Sequence, residues 1–262
     1  MVSKEELFEM VETAIGKELL KEVKEYDDLA NGVQIDGSEK IDKVALGVSA
    51  SVAFFEKAIK AKAQACIFHH GLVLTDKSIC HSRLDLGTQK RLKLALTNNL
   101  TVAGYHAALD RQPEFGNNAT IINKLGGKRL NLPYFDNWGW VAEFDKAQPT
   151  KKLAEKLSRI LNHKVMAIYG GKKMVKRIGV VSGGAKPYAK ELMEIKEKKV
   201  ELHISGEIGE PGPATARDMG FNYFSGGHYA TEVFGIQELG KKIKAYFKDK
   251  VETEFIDVPN RL

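Results

Sequence analysis

The sequence predicts an α/β protein of two similar lobes, with mixed, largely parallel sheets around a central cleft. Three observations carry this. Short apolar runs alternate with amphipathic segments along the whole chain, which is the signature of repeated strand–helix–strand units. No low-complexity stretch or Pro/Ser-rich linker interrupts the pattern. A weak internal echo is also visible. Gly47-Val48-Ser49-Ala50-Ser51 opens a helix that leads to a strand ending in His69-His70, and Val180-Val181-Ser182-Gly183-Gly184 opens one that leads to Ser205-Gly206-Glu207.

Taken in order, Lys4 to Glu25 reads as one amphipathic helix, because Leu7, Val11, Ile15 and Leu19 recur every four positions. Tyr26 to Gly32 is a turn-rich loop. A strand at Val44–Ser49, a helix at Val52–Gln64 and a strand at Ala65–Phe68 follow. Next come a helix at Leu84–Asn98 and a strand at Leu100–Tyr105. A helix at Ala119–Leu125 is capped by Asn117 or Asn118 and stopped by Gly126-Gly127. Residues 130–137 turn polar and carry Pro133, which places a lobe boundary there: 1–130 and 131–262, with no large inserted domain. The second lobe reads as strands at Trp138–Phe144, Val165–Tyr169, Arg177–Ser182, Val200–Ile204, Phe221–Phe224 and Val251–Ile256. Helices at Lys151–Leu161, Pro187–Lys198, Ala214–Met219 and Thr231–Phe247 separate them.

Composition narrows the class. The 262 residues are 43% apolar and 28% charged, which fits a chain with a real core. No run of about 18 apolar residues suggests a membrane helix. The acidic start Met1-Val2-Ser3-Lys4-Glu5-Glu6 lacks the apolar core of a secretory signal. Two cysteines cannot form a disulfide framework, so the cytoplasm is the expected compartment. The net charge of 40 − 34 = +6 would help an anionic small molecule approach without demanding nucleic acid. The basic runs Lys172–Arg177 and Lys196–Lys199 read as solvated faces. Neither a P-loop nor a Gly-x-Ser-x-Gly elbow occurs. The Ser182-Gly183-Gly184-Ala185-Lys186 turn could hold an anion or be purely structural.

Histidine placement is the informative feature. His69 and His70, His106, and His228 each fall just after an expected strand, where α/β sheets bind ligands. Asp110 follows His106 by four residues and Glu232 follows His228 by four, a spacing that puts each pair on one face of a helix. Glu207 also sits just beyond a strand. Imidazole nitrogen with carboxylate oxygen suits divalent Zn, Fe, Mn or Ni. Five such ligands around two ions, with room for water, form the set of a two-metal hydrolytic centre. His81, His163 and His203 read as ordinary hydrogen-bonded residues. Cys66 reads as core filling and Cys80 as structural.

The motifs Asn31-Gly32-Val33-Gln34, His69-His70-Gly71, Tyr105-His106-Ala107-Ala108-Leu109-Asp110, Pro113-Glu114-Phe115-Gly116-Asn117-Asn118, Ser205-Gly206-Glu207 and Gly227-His228-Tyr229-Ala230-Thr231-Glu232 appear in this order. With the closing Phe255-Ile256-Asp257-Val258-Pro259-Asn260, they resemble the GTP cyclohydrolase I type 2 homologue family, also called Nif-three-like. The resemblance spans about residues 26 to 260. It implies a two-lobed α/β fold around a central metal-binding cleft holding two divalent ions per chain. It implies metal ligands at His69, His70, Asp110, His228 and Glu232, with Glu232 also catalytic, and places His106 beside the metals as a proton shuttle. It further implies a homo-oligomer, a toroidal hexamer arranged as a trimer of dimers. The implied reaction opens the GTP imidazole ring: hydroxide adds to C8 and a second hydrolysis releases formate. One departure is Gly71, where many relatives carry Pro. The expected function is therefore a metal-dependent hydrolase acting on GTP or another nucleotide. The alternatives are a non-enzymatic metal chaperone and, more weakly, a nucleic-acid-associated ring.

Overall fold

The computed structural model describes residues 1–74, the backbone of 79–80, and 83–260. The expectations for His81 and for the Cys80 side chain lie outside the described residues. The chain divides into two compact units. One is Met1–Gln112 with Gly235–Val258; the other is Pro113–Phe234 with the residues from Pro259. The sequence places a single boundary near residue 130; the chain instead passes to the second unit at Pro113 and returns at Gly235.

In the first unit, β1 (Val2–Ser3) leads into α1 (Lys4–Ile15) and α2 (Lys17–Val23). Ser3 and Glu6 form a reciprocal cap: the Glu6 N–H donates to Ser3 Oγ at 3.1 Å and the Ser3 N–H to Glu6 Oε2 at 2.8 Å. The single helix expected over Lys4–Glu25 is broken at Gly16, whose φ of 109° no helix accommodates. Next come β2 (Asn31–Ile35), β3 (Lys40–Ile41), β4 (Lys43–Ser49), α3 (Val52–Lys60), β5 (Ala65–His70), β6 (Ile79–Cys80), β7 (Arg83–Leu84), α4 (Leu86–Thr97), β8 (Thr101–Tyr105) and α5 (Ala107–Arg111). The sequence missed β2, because Asn31-Gly32 reads as a turn, and α5, because it is only five residues long.

The second unit holds α6 (Asn117–Leu125), β9 (Lys128–Tyr134), β10 (Gly139–Pro149), α7 (Thr150–Leu161), β11 (Met166–Tyr169), β12 (Met174–Val180), α8 (Ala189–Glu197), β13 (Leu202–Ser205), α9 (Gly212–Met219) and β14 (Asn222–Ser225). The long α10 (His228–Phe247) starts in this unit and carries the chain back to the first, where β15 (Glu252–Phe255) joins the sheet.

The first unit's main sheet has the order β15-β4-β5-β8-β2. Its first four strands are parallel and β2 is antiparallel to β8. Phe54, Phe55 and Phe68 centre its core, and Cys66 fills space beside them; burial pushes the Cys66 thiol up to about 12.

The second sheet has the order β11-β14-β13-β12-β10-β9 and is less parallel than expected. Only β12, β13 and β14 run parallel. Residues 130–137, expected as a boundary, are the edge strand β9 and a turn into β10. Phe135, Asp136 and Asn137 there take φ of 56°, 52° and 70°, and a hairpin this tight must pair antiparallel. Pro133 is tolerated because an edge strand has ladder bonds on one side only. Alternate residues of the central strands feed two cores: Ile178, Val180, Leu202, Ile204 and Phe224 face one, and Val181 and Tyr223 the other.

The internal echo resolves as one succession used twice. β4–α3–β5–α4–β8 and β12–α8–β13–α9–β14 each lay down three adjacent parallel strands in chain order. Each succession therefore delivers three strand ends, side by side, to one sheet edge.

Candidate metal centre

In the first unit the edge is formed by the ends of β5 and β8. His69 and His70 are the last two residues of β5 rather than residues beyond it, and His70 pairs with Ser49 of β4. Their rings nonetheless lie close, with centroids 4.6 Å apart. The Ser49 hydroxyl sits 3.1 Å from His70 Nδ1. His106 follows β8 directly; its ring centroid is 5.0 Å from that of His69 and 5.3 Å from that of His70. One nitrogen from each of the three rings lies within 4.8 Å of the others. Asp110 lies on α5, where its N–H donates to the His106 carbonyl, so the two residues are one turn apart on one face. Its Oδ2 is 3.6 Å from His69 Nε2, and both residues are buried.

The surrounding loops are held by residues with no metal role in the sequence reading. Asp27 is buried and accepts from His106 Nδ1 at 3.0 Å on each oxygen, from the Ala107 N–H at 2.9 Å, from the Leu29 N–H at 3.0 Å and from the Asn31 amide at 2.8 Å. Burial opposes its ionisation. The hydrogen bond and charge of His106, with the Ala107 and Leu29 N–H groups, outweigh that and hold its carboxyl at about 2. Gln34 grips the segment after His70, accepting from the Leu72 N–H and donating to its carbonyl, both at 2.7 Å. A Cβ at Gly71 would overlap the Gln34 carboxamide, which accounts for glycine at this position.

In the second unit the ends of β12, β13 and β14 are knit through three glycines. The Gly206 N–H donates to the Gly183 carbonyl and the Gly227 N–H to the Gly206 carbonyl, both at 2.9 Å. His228 starts α10 and Glu232 lies one turn on, with His228 Nε2 3.1 Å from Glu232 Oε1. The Glu232 side chain is buried; that of His228 is about one-third exposed. His228 Nδ1 is 2.5 Å from Glu207 Oε1, and Lys186 pairs with the other Glu207 oxygen. Lys186 and His228 lower the Glu207 pKa. Burial favours a neutral His228, yet Glu232 and Glu207 together raise it to about 9. A metal at Nε2 would take the place of that proton.

The residues present fit divalent ions. Two ligands at about 2.0–2.2 Å from one ion stand roughly 3.0–3.6 Å apart, and the His69–Asp110 and His228–Glu232 spacings fall in that range. A ligand histidine ordinarily gives its other nitrogen to a carboxylate, as His228 does to Glu207.

The Ser182–Lys186 turn is not an anion cradle at its first two donors: the Ser182 N–H donates to Asn118 Oδ1 at 2.7 Å and the Gly183 N–H to Thr231 Oγ1 at 3.0 Å. Asn118 is no helix cap either. Gly116 precedes α6, and the Asn118 amide ties Ser182 to the Trp138 carbonyl at 2.9 Å. His163 packs close to Gly227, the residue before His228. Asp27 left no signal beyond its place in a turn-rich loop; Glu207 was visible at a strand end but carried no role.

His203 is fully buried and structural. Tyr134 Oη donates to its Nδ1 at 2.8 Å, and its Nε2–H donates to the Ala185 carbonyl at 3.0 Å. Burial lowers its pKa to about 4, only partly offset by the Ala185 carbonyl. Below pH 6.5 the unfolded chain binds a proton that the folded ring refuses, so stability must fall as pH drops toward 4. Between pH 7 and 5 the expected loss from this group is about 2 kcal/mol. Urea unfolding at both values should show it in the wild type and show a flatter slope in His203→Gln; equal slopes would contradict it.

The family model described as Duf34/NIF3 (NGG1p interacting factor 3) matches residues 5–261. A Haemophilus influenzae protein called GTP cyclohydrolase 1 type 2 homolog is 33% identical over 242 residues, covering 89% of this chain and 92% of the relative. An Archaeoglobus fulgidus protein of the same name is 32% identical, covering 92% and 94%. Among solved structures, one titled protein ybgI, unknown function, matches with a TM-score of 0.86 at 27% identity over 100% of both chains. Reduced HcgD from Methanocaldococcus jannaschii matches with a TM-score of 0.78 at 22% identity, covering 98% of each chain.

Proposed function

The chain belongs to the Duf34/NIF3 family, and from that premise we propose that it is a dinuclear metal-binding hydrolase. His69, His70, Asp110, His228 and Glu232 hold two divalent ions, drawn from Zn, Fe, Mn or Ni. The observation that carries the reading is the ligand-like spacing of His69 with Asp110 and of His228 with Glu232, three of the four buried. When bound, such ions lower the pKa of water and polarise the atom under attack. His106, whose ring lies against those of His69 and His70, is suited to take up and return a proton. Glu232 acts as a ligand and orients the attacking water. The leading substrate is GTP, opened at the imidazole ring with release of formate, as the names of the relatives suggest. The working form is a cytoplasmic toroidal hexamer, a trimer of dimers.

A second reading is favoured by the partial exposure of His70 and His228, which leaves an ion open to exchange: a non-enzymatic metal-handling protein. Metal analysis of protein purified without added metal, paired with a GTP assay for formate, separates the two. About two ions per chain with formate release supports the hydrolase. Metal that passes to an apo-acceptor without any turnover supports metal handling. A chain that holds no metal sinks both.

A further inference from the structure

The metal ligands leave one built feature of the first unit unused: a buried carboxylate, far upstream in sequence, aimed at an imidazole that is not among the five. We propose that Asp27 is the positioning residue of the centre, holding His106 as its Nδ1–H tautomer so that the lone pair of Nε2 faces His69 and His70. The inference rests on the metal-site reading for its purpose, but its geometry belongs to the first unit alone.

Four observations support it. Both Asp27 oxygens lie 3.0 Å from His106 Nδ1, so that nitrogen is the one engaged by the carboxylate. An ionised carboxylate only accepts hydrogen bonds, so Nδ1 must carry the proton. Asp27 gathers the Leu29 and Ala107 N–H groups and the Asn31 amide as well as His106, donors that favour its ionised form. The His106 ring lies against His69 and His70, so the nitrogen left to face them is Nε2. Which ring nitrogen carries the proton is set by the partner of the other one, and that choice decides whether His106 can accept a proton or share an ion.

Asp27 is also well braced for this task. The Leu29 N–H and the Asn31 amide fix it within its own loop, and the Ala107 N–H ties it to the start of α5. Asn31 closes the arrangement by accepting from the Ala108 N–H at 3.2 Å. The carboxylate therefore meets the imidazole in one orientation, without a rotamer search. A carboxylate that served only to clip the loop would leave the His106 tautomer to solvent.

The test reads the tautomer directly. Magic-angle-spinning NMR of the full-length, metal-free protein with [15N]histidine distinguishes a protonated from a bare ring nitrogen, and His106→Gln assigns the signal. The wild type should show His106 with Nδ1–H and bare Nε2; the Nε2–H tautomer would overturn the proposal even if Asp27→Asn failed to fold. In folded Asp27→Asn the population should shift toward Nε2–H, and an unchanged spectrum would also overturn it. Asp27→Glu, which keeps the carboxylate, should recover part of the Nδ1–H population. A wild type that binds no metal yet shows the Nδ1–H form would refute the metal reading and leave the tautomer assignment standing.

Discussion

Glu232→Gln is expected to cut bound metal from about two ions per chain to one or fewer, and to lower hydrolytic turnover by more than about 100-fold, beyond the loss typical of a merely supporting residue. Glutamine keeps the size of the side chain and removes its charge. Glu232 is buried one turn into α10, with His228 Nε2 3.1 Å away, and a buried carboxylate in that place needs a cation. Without it, His228 Nε2 loses the carboxylate oxygen 3.1 Å away, and an imidazole with no neighbouring carboxylate to share the ion holds it more weakly. The fold should survive, because glutamine keeps the volume and His228, still beside Glu207, can give up its proton when the Glu232 charge is removed. Thermal melts with and without zinc separate the two effects. A metal present at 100 times its dissociation constant stabilises the wild type by about 2.7 kcal/mol; that zinc-dependent shift should shrink or vanish in Glu232→Gln while the metal-free melts agree. Equal metal content and equal turnover in the two proteins would remove Glu232 from the centre.

The parts of the proposed centre that could be read in sequence are those whose chemistry is local. His69-His70, His106 with Asp110, and His228 with Glu232 stand out because each group falls at the strand ends of its own sheet, and because a four-residue spacing puts two side chains on one helix face. β4, β5, β8, β12, β13 and β14 were legible for a related reason: strands covered on both faces are short apolar runs that composition alone reveals. What stayed hidden depends on partners distant in the chain. Asp27 is 79 residues from His106, and nothing local separates a carboxylate that orients a ring from one that caps a loop. β2 was hidden by its Asn-Gly start and β9 by its polar edge-strand composition, since an edge strand has little to bury. The second unit's antiparallel strands followed from a hairpin whose turn uses Phe135, Asp136 and Asn137 at positive φ, with no glycine to mark it. The break at Gly16 shows the opposite limit: an unbroken apolar period runs through a glycine whose backbone leaves the helix.

Gly183→Ala should abolish metal binding in the second unit at small cost to the fold, and Gly220→Ala is its control. Both glycines have positive φ, 65° and 75°. Either alanine therefore carries the left-handed backbone strain of about 1–2 kcal/mol, worth a few degrees of melting temperature in a chain of this size. Their surroundings differ. A Cβ at Gly220 meets nothing within 4 Å, whereas one at Gly183 would overlap Glu232 Oε1 and come within 3.2 Å of His228 Nε2. The overlapped atom is the far end of a flexible side chain, so the clash is relieved by swinging the Glu232 carboxylate away rather than by unfolding the loop. That motion spoils the spacing between two proposed ligands. The two variants should therefore melt within a few degrees of each other, while chelator competition shows affinity lost by more than about 100-fold in Gly183→Ala and unchanged in Gly220→Ala. Equal affinities would mean that Glu232 and His228 hold no ion at the place where Gly183 presses on them. Equal losses in both variants would mean that backbone strain, and not the room left by a missing Cβ, governs the centre.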